Sequence, residues 1–247
     1  NLNKIADGGN TDEIIKKVPK ELIYYREKDI VVIHSDCRIV LPYLDPVDLV
    51  LTDPPYGIGF DRENTSMSCG MRVDGSQREY KKWSQPTPKG YETEDWDTKP
   101  EQETFNLIFK TSKNQIIWGG NYFGFEPTGG WLVWDKEVVM PTLSKCELAW
   151  TSFLGHIEIK RYLWAGFRKE KPEDRTHPTQ KPIEVMQWCI LQAPEDCRTI
   201  LDPFMGSGTT LQAAKNLGKQ AIGIEISEKH CSDAVKRLQQ EVFDFGK

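Results

Sequence analysis

The sequence predicts one α/β domain built on a mixed, mostly parallel sheet, with helices on both faces. Short apolar runs of strand length alternate with segments of helical pattern through most of the 247 residues, which is the order expected for parallel strands joined by crossover helices. Residues 198–242 show this order most clearly, as strand, glycine turn, helix, strand and helix. A chain of this length can bury a sizeable core.

The first half of the chain is predicted to contain two strands, a long loop and then a helix followed by a strand. Residues 28–36 and 47–53 have strand patterns, and the second (VDLVLTD) is apolar enough for a strand covered on both faces. Residues 57–100 then lose all periodicity, which inside a compact domain is typical of a functional loop. The pattern resumes as a helix at 100–112 and a strand at 114–120.

The second half is predicted to contain further strands and three helices. The strand patterns lie at 131–136, 147–153, 157–165, 198–204 and 220–227. The helix patterns lie at 182–193, 210–218 and 227–242. Pro182, Gly218 and Ser227 stand where a first-turn proline, a terminating glycine and an N-cap are expected. Residues 1–247 are thus treated as one domain, with 57–100 and 135–176 as insertions into it.

Composition indicates a soluble globular protein of the cytoplasm. Hydrophobic residues make up 38% of the chain and charged residues 28%, and no apolar run is long enough to cross a membrane. Charged residues interrupt the first apolar stretches, which argues against a signal peptide. The six cysteines contain no C-x-x-C pair and the four histidines are scattered, so we expect reduced thiols and no metal site.

Two segments are locally basic although the net charge of the chain is −5. Residues 71–90 hold five basic against two acidic side chains, and residues 155–182 hold seven against four. Such segments are either solvated surface or contacts to the phosphates of a nucleic acid.

The stretch LDPFMGSGTT predicts a binding site for an adenosine-containing cofactor. A glycine turn between a strand and a helix exposes backbone amides, and Glu225, 19 residues after Gly206, can accept from ribose hydroxyls. No lysine follows Gly208, which excludes a Walker loop, and Leu211 replaces the third glycine of a dinucleotide loop. S-adenosylmethionine fits, with its amino-acid end near Asp202; a plain strand–helix turn is the alternative.

The stretch LTDPPYGIGF, residues 51–60, ends a buried strand with two prolines, which cannot donate to a sheet ladder. Both D-P motifs therefore follow apolar strands. In an open parallel sheet, the carboxyl ends of the strands on either side of the topological switch point line one crevice. If these two strands flank that point, Asp53 and Tyr56 face the cofactor pocket.

Together, DPPYGIG and DPFMGSGTT resemble the motifs of the amino-group DNA methyltransferases. Their order along the chain, with HPTQKP (177–182) ahead of the cofactor loop, resembles the beta group of that family. The resemblance extends over residues 28–240. It implies the Rossmann-like fold of the S-adenosylmethionine-dependent methyltransferases, with a mixed, mostly parallel sheet of seven strands. In that family D-P-P-Y holds the target amino group and F-x-G-x-G binds the cofactor.

The resemblance also assigns the site residues. The catalytic residues would be Asp53, Pro54, Pro55 and Tyr56. The cofactor-binding residues would be Asp36, Thr179, Lys181, Asp202, Phe204, Gly206, Gly208, Thr209 and Glu225. Four of these have plainer interpretations: Asp36 as a strand-end aspartate, Thr179 and Lys181 as surface-loop residues, and Phe204 as a core side chain.

The chemistry of amine methylation explains these residue types independently. The exocyclic amine of adenine or cytosine is a poor nucleophile because its lone pair is delocalised into the ring. If Asp53 accepts one N–H and the Pro54 carbonyl the other, a pyramidal nitrogen with an available lone pair is favoured. Tyr56 can stack on a base flipped out of the duplex. Methylation of cytosine C5 would need a cysteine beside a proline, and no Pro-Cys dipeptide occurs.

The predicted function is methylation of adenine N6 in double-stranded DNA, with 57–100 and 135–176 contacting the DNA. Cytosine N4 is the alternative target. Adenine is preferred because this chain has D-P-P-Y, which is commoner in adenine methyltransferases, whereas S-P-P-Y is commoner in cytosine-N4 methyltransferases. RNA or protein-glutamine methyltransferases usually place the glycine motif first. A non-catalytic DNA-binding relative and a nicotinamide oxidoreductase complete the alternatives. A homodimer, a separate restriction endonuclease and the recognition sequence are left open.

Overall fold

The computed structural model describes residues 11–57, 98–138, 144–165, 168–169 and 180–239, and the statements below concern these residues. The strands are β1 Ile23–Glu27, β2 Ile30–His34, β3 Val47–Thr52, β4 Ser112–Trp118, β5 Trp131–Asp135, β6 Cys146–Thr151, β7 Ile157–Arg161, β8 Trp164–Ala165, β9 Arg168–Lys169, β10 Thr199–Asp202 and β11 Gln220–Glu225. The α-helices are α1 Thr11–Ile14, α2 Cys37–Val40, α3 Gln102–Thr111, α4 Ile183–Leu191, α5 Thr209–Asn216 and α6 Glu228–Gln239. Short 3₁₀ helices lie at Lys20–Leu22, Leu41–Tyr43 and Gly120–Tyr122.

The main sheet has nine strands in the order β1-β2-β11-β10-β3-β4-β6-β5-β7, where the family resemblance implies seven. Five neighbouring pairs are parallel, and β1–β2, β4–β6 and β5–β6 are antiparallel, so the sheet is mixed and mostly parallel as predicted. The sequence pattern misses β1 because its residues, IYYRE, are half-buried or exposed and carry two charges. The segment predicted as one strand at 157–165 is divided between β7 and β8.

The topological switch point lies between β3 and β10, which meets the condition for the two D-P motifs to line one crevice. These strands are parallel neighbours, with Leu49 opposite Ile200. The chain continues from β3 to β4 on one side and from β10 to β11 on the other. Both D-P motifs therefore leave the sheet at the same edge.

Each face of the sheet carries its own hydrophobic core, because successive side chains of a strand point to opposite faces. Leu51 and Trp118 belong to the core that includes side chains of α4, α5 and α6. Val50 and Ile117 belong to the core under α1, α2 and α3. Helices thus cover both faces, which explains why β3 is apolar along almost its whole length.

The two predicted insertions differ in what the structure says of them. Residues 58–97 of the first lie outside the described residues. In the second, 135–176, β6 and β7 are strands of the main sheet. Whether either segment contacts DNA stays a prediction.

Three general features concern only the described residues. No helix there is long and apolar enough to cross a membrane. The five cysteines in this part of the chain are free thiols. No cluster of three or more potential metal ligands occurs among these residues.

Candidate active site

The D-P-P-Y segment holds its aspartate and tyrosine in contact at the end of β3. The Tyr56 hydroxyl donates to Asp53 Oδ1 at 2.6 Å. The two prolines between them have fixed φ angles and no backbone N–H, so the segment keeps its shape without a ladder partner. One oxygen of the predicted catalytic carboxylate is thereby oriented by a residue of its own motif.

The second oxygen of Asp53 is held by Lys181. This ammonium lies 2.5 Å from Asp53 Oδ2 and 2.9 Å from Glu147 Oε2, and its side chain is only 5% exposed. It also lies over the Trp118 ring, 5.0 Å from the centroid. The alternative that Lys181 lies on a surface loop is therefore wrong. The structure places it on the carboxylate of Asp53, and a contact to the cofactor's carboxylate stays a prediction.

A second lysine continues this arrangement. Lys136, which follows β5, forms an ion pair with Glu147 Oε1, and its ammonium lies 5.1 Å from the centroid of the Trp134 ring. Lys136, Glu147, Lys181 and Asp53 thus form a line of alternating charges, which we call the charge chain. Two ammonium groups balance two carboxylates in it.

Sequence reasoning missed Glu147 and Lys136 because it considered only the carboxyl ends of parallel strands. β6 is antiparallel to β4, so it is the beginning of β6 that reaches the edge where β3 ends. The sequence signal that could have identified Glu147 is an acidic residue at the start of the otherwise apolar run ELAWT.

The charge chain changes the titration of its members. Burial alone would lower the pKa of Lys181, but Asp53 and Glu147 outweigh it and raise that pKa well above the usual lysine value. Burial would raise the pKa of Glu147, but the two lysines bring it down to about 2. Burial does raise the pKa of Asp53, with Lys181 opposing the rise and Glu147 adding to it. Asp53 is therefore the more basic of the two carboxylates.

Tyr56 is held by aromatic and backbone contacts around its ring. Tyr122 stacks on it with 5.0 Å between centroids and 22° between planes, and Phe123 meets it edge-on at 6.1 Å. Gly119 (φ +67°) lies so close that an added Cβ would be 2.2 Å from the Tyr56 ring. Burial and the Asp53 charge raise the pKa of Tyr56 well above its usual value, which keeps it a hydroxyl donor.

The glycine turn after β10 is closed by a carboxylate from β11. Glu225 accepts the backbone N–H groups of Gly206 and Ser227, both at 2.9 Å. Gly206 and Gly208 have positive φ, +51° and +78°, the conformation that glycine adopts without strain. At Gly208 an added Cβ would lie 2.8 Å from Ala234 Cβ of α6, so this glycine also permits close helix packing.

A pocket of about 300 Å³ opens at this edge of the sheet. Its lining includes Asp36, Phe204 and Glu225, three of the residues assigned to the cofactor, together with Lys99 and Ile226. The volume and the carboxylate at the strand end suit an adenosine group. The chain therefore offers a fitting site for S-adenosylmethionine.

Asp36 also has the plainer role that the sequence allowed. Its carboxylate accepts the backbone N–H of Arg38 at 2.9 Å and pairs with the Arg38 guanidinium, which lowers the pKa of Asp36. It thus caps α2 and lines the pocket at the same time.

Asp202 links the two D-P motifs. It is buried and accepts from the hydroxyls of Thr52 (2.7 Å) and Thr210 (2.5 Å) and from the N–H of Phe204 (3.1 Å). Burial raises its pKa to about 6 against these hydrogen bonds. Its oxygens are engaged inside the protein, and a contact to the cofactor's amino-acid end stays a prediction.

The HPTQKP segment reaches the glycine turn through an arginine of α6. Arg237 donates to Gln180 Oε1 at 2.9 Å and to the Thr209 hydroxyl at 3.2 Å. Thr179 lies outside the described residues. Gln180 and Lys181 are adjacent, so these two residues connect the start of α5, through Arg237, with the carboxylate of Asp53.

Known proteins resemble this chain over most of its length. The type II methyltransferases M2.LlaDCHI of Lactococcus lactis subsp. cremoris and M2.DpnII of Streptococcus pneumoniae are 27% and 26% identical to it, each match covering 88% of this chain and 92% of the relative. Among solved structures, the cytosine-N4-specific PvuII DNA methyltransferase superimposes with a TM-score of 0.55 at 14% identity, over 89% of this chain and 90% of its own. The M1.HpyAVI–SAM complex gives 0.52 at 21% identity, over 84% and 99%.

These structural likenesses confirm the predicted Rossmann-like methyltransferase fold. The family model described as DNA methylase matches residues 72–236, more than half of the chain. Asp53 precedes that range in sequence. Lys181, which contacts Asp53, and Glu147, which contacts Lys181, both lie within the range. The chain belongs to the amino-group (N6/N4) DNA methylase family, as its motifs predicted.

Proposed function

We propose that this protein transfers a methyl group from S-adenosylmethionine to the exocyclic N6 of an adenine flipped out of double-stranded DNA. The observation that carries the proposal is the position of Asp53. Its carboxylate stands at the switch point of the sheet, in the loop after β3, and the last residue of β3, Thr52, is bonded to Asp202 at the end of β10. An amine held by Asp53 would therefore lie beside the predicted cofactor pocket.

Asp36, Phe204 and Glu225 would hold the adenosine part of the cofactor, since they line the pocket. When bound, S-adenosylmethionine supplies a methyl group from its sulfonium, the S–C bond breaking with its electron pair returning to sulfur as the new N–C bond forms. Everything else in the reaction is the work of the protein's own groups on the target base.

Asp53 and the Pro54 carbonyl would each accept one N–H of the target amine. This removes the lone pair from conjugation with the ring and directs it at the methyl group. The nitrogen carries a positive charge after transfer and must lose one proton, which Asp53 accepts and passes to solvent. A pKa raised by burial makes Asp53 a better acceptor than a surface aspartate.

Tyr56 would stack on the flipped base. Its ring is fixed by the Gly119 backbone and by Tyr122, and its hydroxyl by Asp53. A base stacked there has its amino group close to the carboxylate, because both contacts come from one four-residue segment.

Nucleoside analysis tests this proposal. The protein is incubated with methyl-labelled S-adenosylmethionine and unmethylated double-stranded DNA, and the DNA is digested to nucleosides. We expect label in N6-methyldeoxyadenosine. Label in N4-methyldeoxycytidine would contradict the adenine assignment, and label appearing in RNA but not in DNA would contradict the DNA substrate.

Substitution of the catalytic carboxylate provides the matching test within the protein. Asp53→Asn should lower kcat on the order of a thousandfold, because the amide cannot accept the amine proton. Binding of S-adenosylhomocysteine should persist. The control, Asp29→Asn, changes an aspartate beside the start of β2, at the opposite edge of the sheet, and should leave kcat unchanged. Equal activity of Asp53→Asn and wild type would exclude this role.

The remaining parts of the functional hypothesis stay predictions. They are DNA contacts from 57–100 and 135–176, a homodimer, and a separately encoded restriction endonuclease.

A further inference from the structure

We propose that Glu147 and Lys136 are positioning residues of the active site, which hold Lys181 between two carboxylates and so leave Asp53 free to bind the target amine. This inference rests on the proposed function. It gives a role to the two half-buried residues of the charge chain that lie furthest from the D-P-P-Y and glycine motifs.

The first step concerns the donors of Lys181. An ammonium has three N–H groups, and here one is directed at Asp53 Oδ2 and another at Glu147 Oε2. The Tyr56 hydroxyl lies within 3.4 Å as well. Without Glu147, the charge of this buried lysine would be satisfied by Asp53 alone. Asp53 would then be tied more tightly to Lys181 and less able to accept from a base.

The second step concerns what holds Glu147. Its other carboxylate oxygen is paired with Lys136, and Glu147 lies opposite Trp134 in the β5–β6 ladder. The Glu147 and Lys136 side chains are 25% and 19% exposed, so water and salt screen their interaction only weakly. The pairing of β5 with β6 therefore fixes the distance between the two charges, and the chain of contacts ends at Asp53.

The third step is the charge balance around Asp53. The groups that face it are Tyr56 from its own segment, Lys181 ahead of α4, Glu147 on β6 and Asp202 on β10. Cys189 of α4 and Lys136 lie one contact further away, beside Lys181 and Glu147. The tyrosine and the cysteine have raised pKa values and stay neutral. Removing the Glu147 charge leaves an excess positive charge, and removing the Lys136 charge leaves an excess negative one.

These two changes should act on catalysis in opposite directions. In Glu147→Gln the excess positive charge lowers the pKa of Asp53, so the acid limb of the kcat–pH profile should move to lower pH. In Lys136→Met it should move to higher pH. The double variant restores neutrality, and its acid limb should return towards that of wild type. At neutral pH, Glu147→Gln should lower kcat on the order of tenfold, because a proton acceptor whose pKa falls by about one unit is a weaker base, whereas Lys136→Met should lower kcat only at acid pH.

The experiment measures kcat against pH with a target duplex for the wild type, both single variants and the double variant. The control is Glu21→Gln, an exposed glutamate of the 3₁₀ helix Lys20–Leu22, which should leave the profile unchanged. The affinity for S-adenosylhomocysteine, measured by titration calorimetry, should be the same in all variants. If Glu147→Gln does not fold, Lys136→Met and the double variant still give the comparison.

Two outcomes would overturn the inference: acid limbs that move in the same direction in both single variants, or limbs that do not move in either. The proposed function can be judged separately. The proposed function fails if the wild type transfers no methyl group or if Asp53→Asn is fully active. If Asp53→Asn is inactive but the acid limbs of Glu147→Gln and Lys136→Met do not move, only the role of Glu147 and Lys136 is excluded.

Discussion

At the residue scale, the position of Tyr56 depends on the lack of a side chain at Gly119. The ring lies against the backbone of Gly119, where the left-handed φ of +67° and the lack of space both require glycine. Tyr122 stacks on the same ring. The tyrosine that we propose to hold the target base is thus placed by the turn after β4 as much as by its own motif.

Gly119→Ala should therefore impair catalysis more than stability alone explains. Gly124 is a matched control, since its φ is +68° and an added Cβ there would meet nothing within 4 Å. Both substitutions should destabilise the fold by about 1–2 kcal/mol through backbone strain. Only Gly119→Ala displaces Tyr56, and it should lower kcat on the order of a hundredfold. Thermal unfolding and methyl-transfer kinetics measure the two effects, and an equal loss of activity in both variants would contradict this account.

The same scale shows which site residues a sequence can reveal. Asp53 and Glu225 stand in recognisable positions, each at the carboxyl end of an apolar strand next to a turn. Glu147 and Lys136 have no local signature, because their role comes from contact with Lys181 and with each other.

At the element scale, one half-buried carboxylate of β3 joins three strands. Asp48 Oδ2 accepts the N–H groups of Arg198 and Thr199 and the Thr199 hydroxyl, and its Oδ1 pairs with Lys113 of β4. It fixes β3 against β10 and β4 near their amino ends, at the edge opposite the site. The hydrogen bonds of Asp48 thereby join β3 and β10 near their amino ends, and the Thr52–Asp202 hydrogen bond joins them at their carboxyl ends.

Asp48→Asn should lower stability without changing the chemistry. Burial would raise the pKa of Asp48, but Lys113 and the three donors outweigh it and lower that pKa from 3.8 to about 2. Since the folded pKa is depressed, the stabilisation is complete above about pH 4 and is lost as the pH falls through about 2. It amounts to about 2 kcal/mol at neutral pH.

Urea denaturation at pH 7 and at pH 2 measures this prediction as the difference between wild type and Asp48→Asn. The difference should be present at pH 7 and small at pH 2, and kcat should be unchanged. Asp45→Asn is the control, because Asp45 forms only exposed ion pairs with Lys16 and Lys17, which contribute little. A difference that persists at pH 2 would contradict the assignment.

At the scale of the whole molecule, an acidic protein is proposed to bind a polyanion. The net charge of −5 opposes association, so binding would depend on the local excess of basic residues in 71–90 and 155–182. Phosphate contacts of this kind release counterions and weaken as salt is added.

DNA affinity should therefore fall steeply with salt, on the order of a hundredfold between about 50 and 200 mM. Affinity for S-adenosylhomocysteine, which makes no phosphate contacts, should change little over the same range. Fluorescence anisotropy of a labelled duplex and titration calorimetry measure the two. A DNA affinity that is flat with salt would exclude the basic segments as the source of binding.

The sequence by itself determined the two motifs, their order, and the position of each at the carboxyl end of an apolar strand. These follow from local rules: prolines end the strand before Asp53, glycines shape the turn before α5, and parallel strands present their carboxyl ends together. The helix and strand positions of the last unit were predicted correctly for the same reason, since α5 and β11 have strong local patterns.

Only the tertiary structure decided what surrounds Asp53. Lys181 is 128 residues away in sequence, and it meets the carboxylate because α4 packs on one face of the sheet with the HPTQKP segment at its start. Glu147 joins them because β6 runs antiparallel and brings its beginning to the edge where its parallel neighbours end. Strand direction and the pairing of buried charges are long-range properties, and no local pattern of residues encodes them.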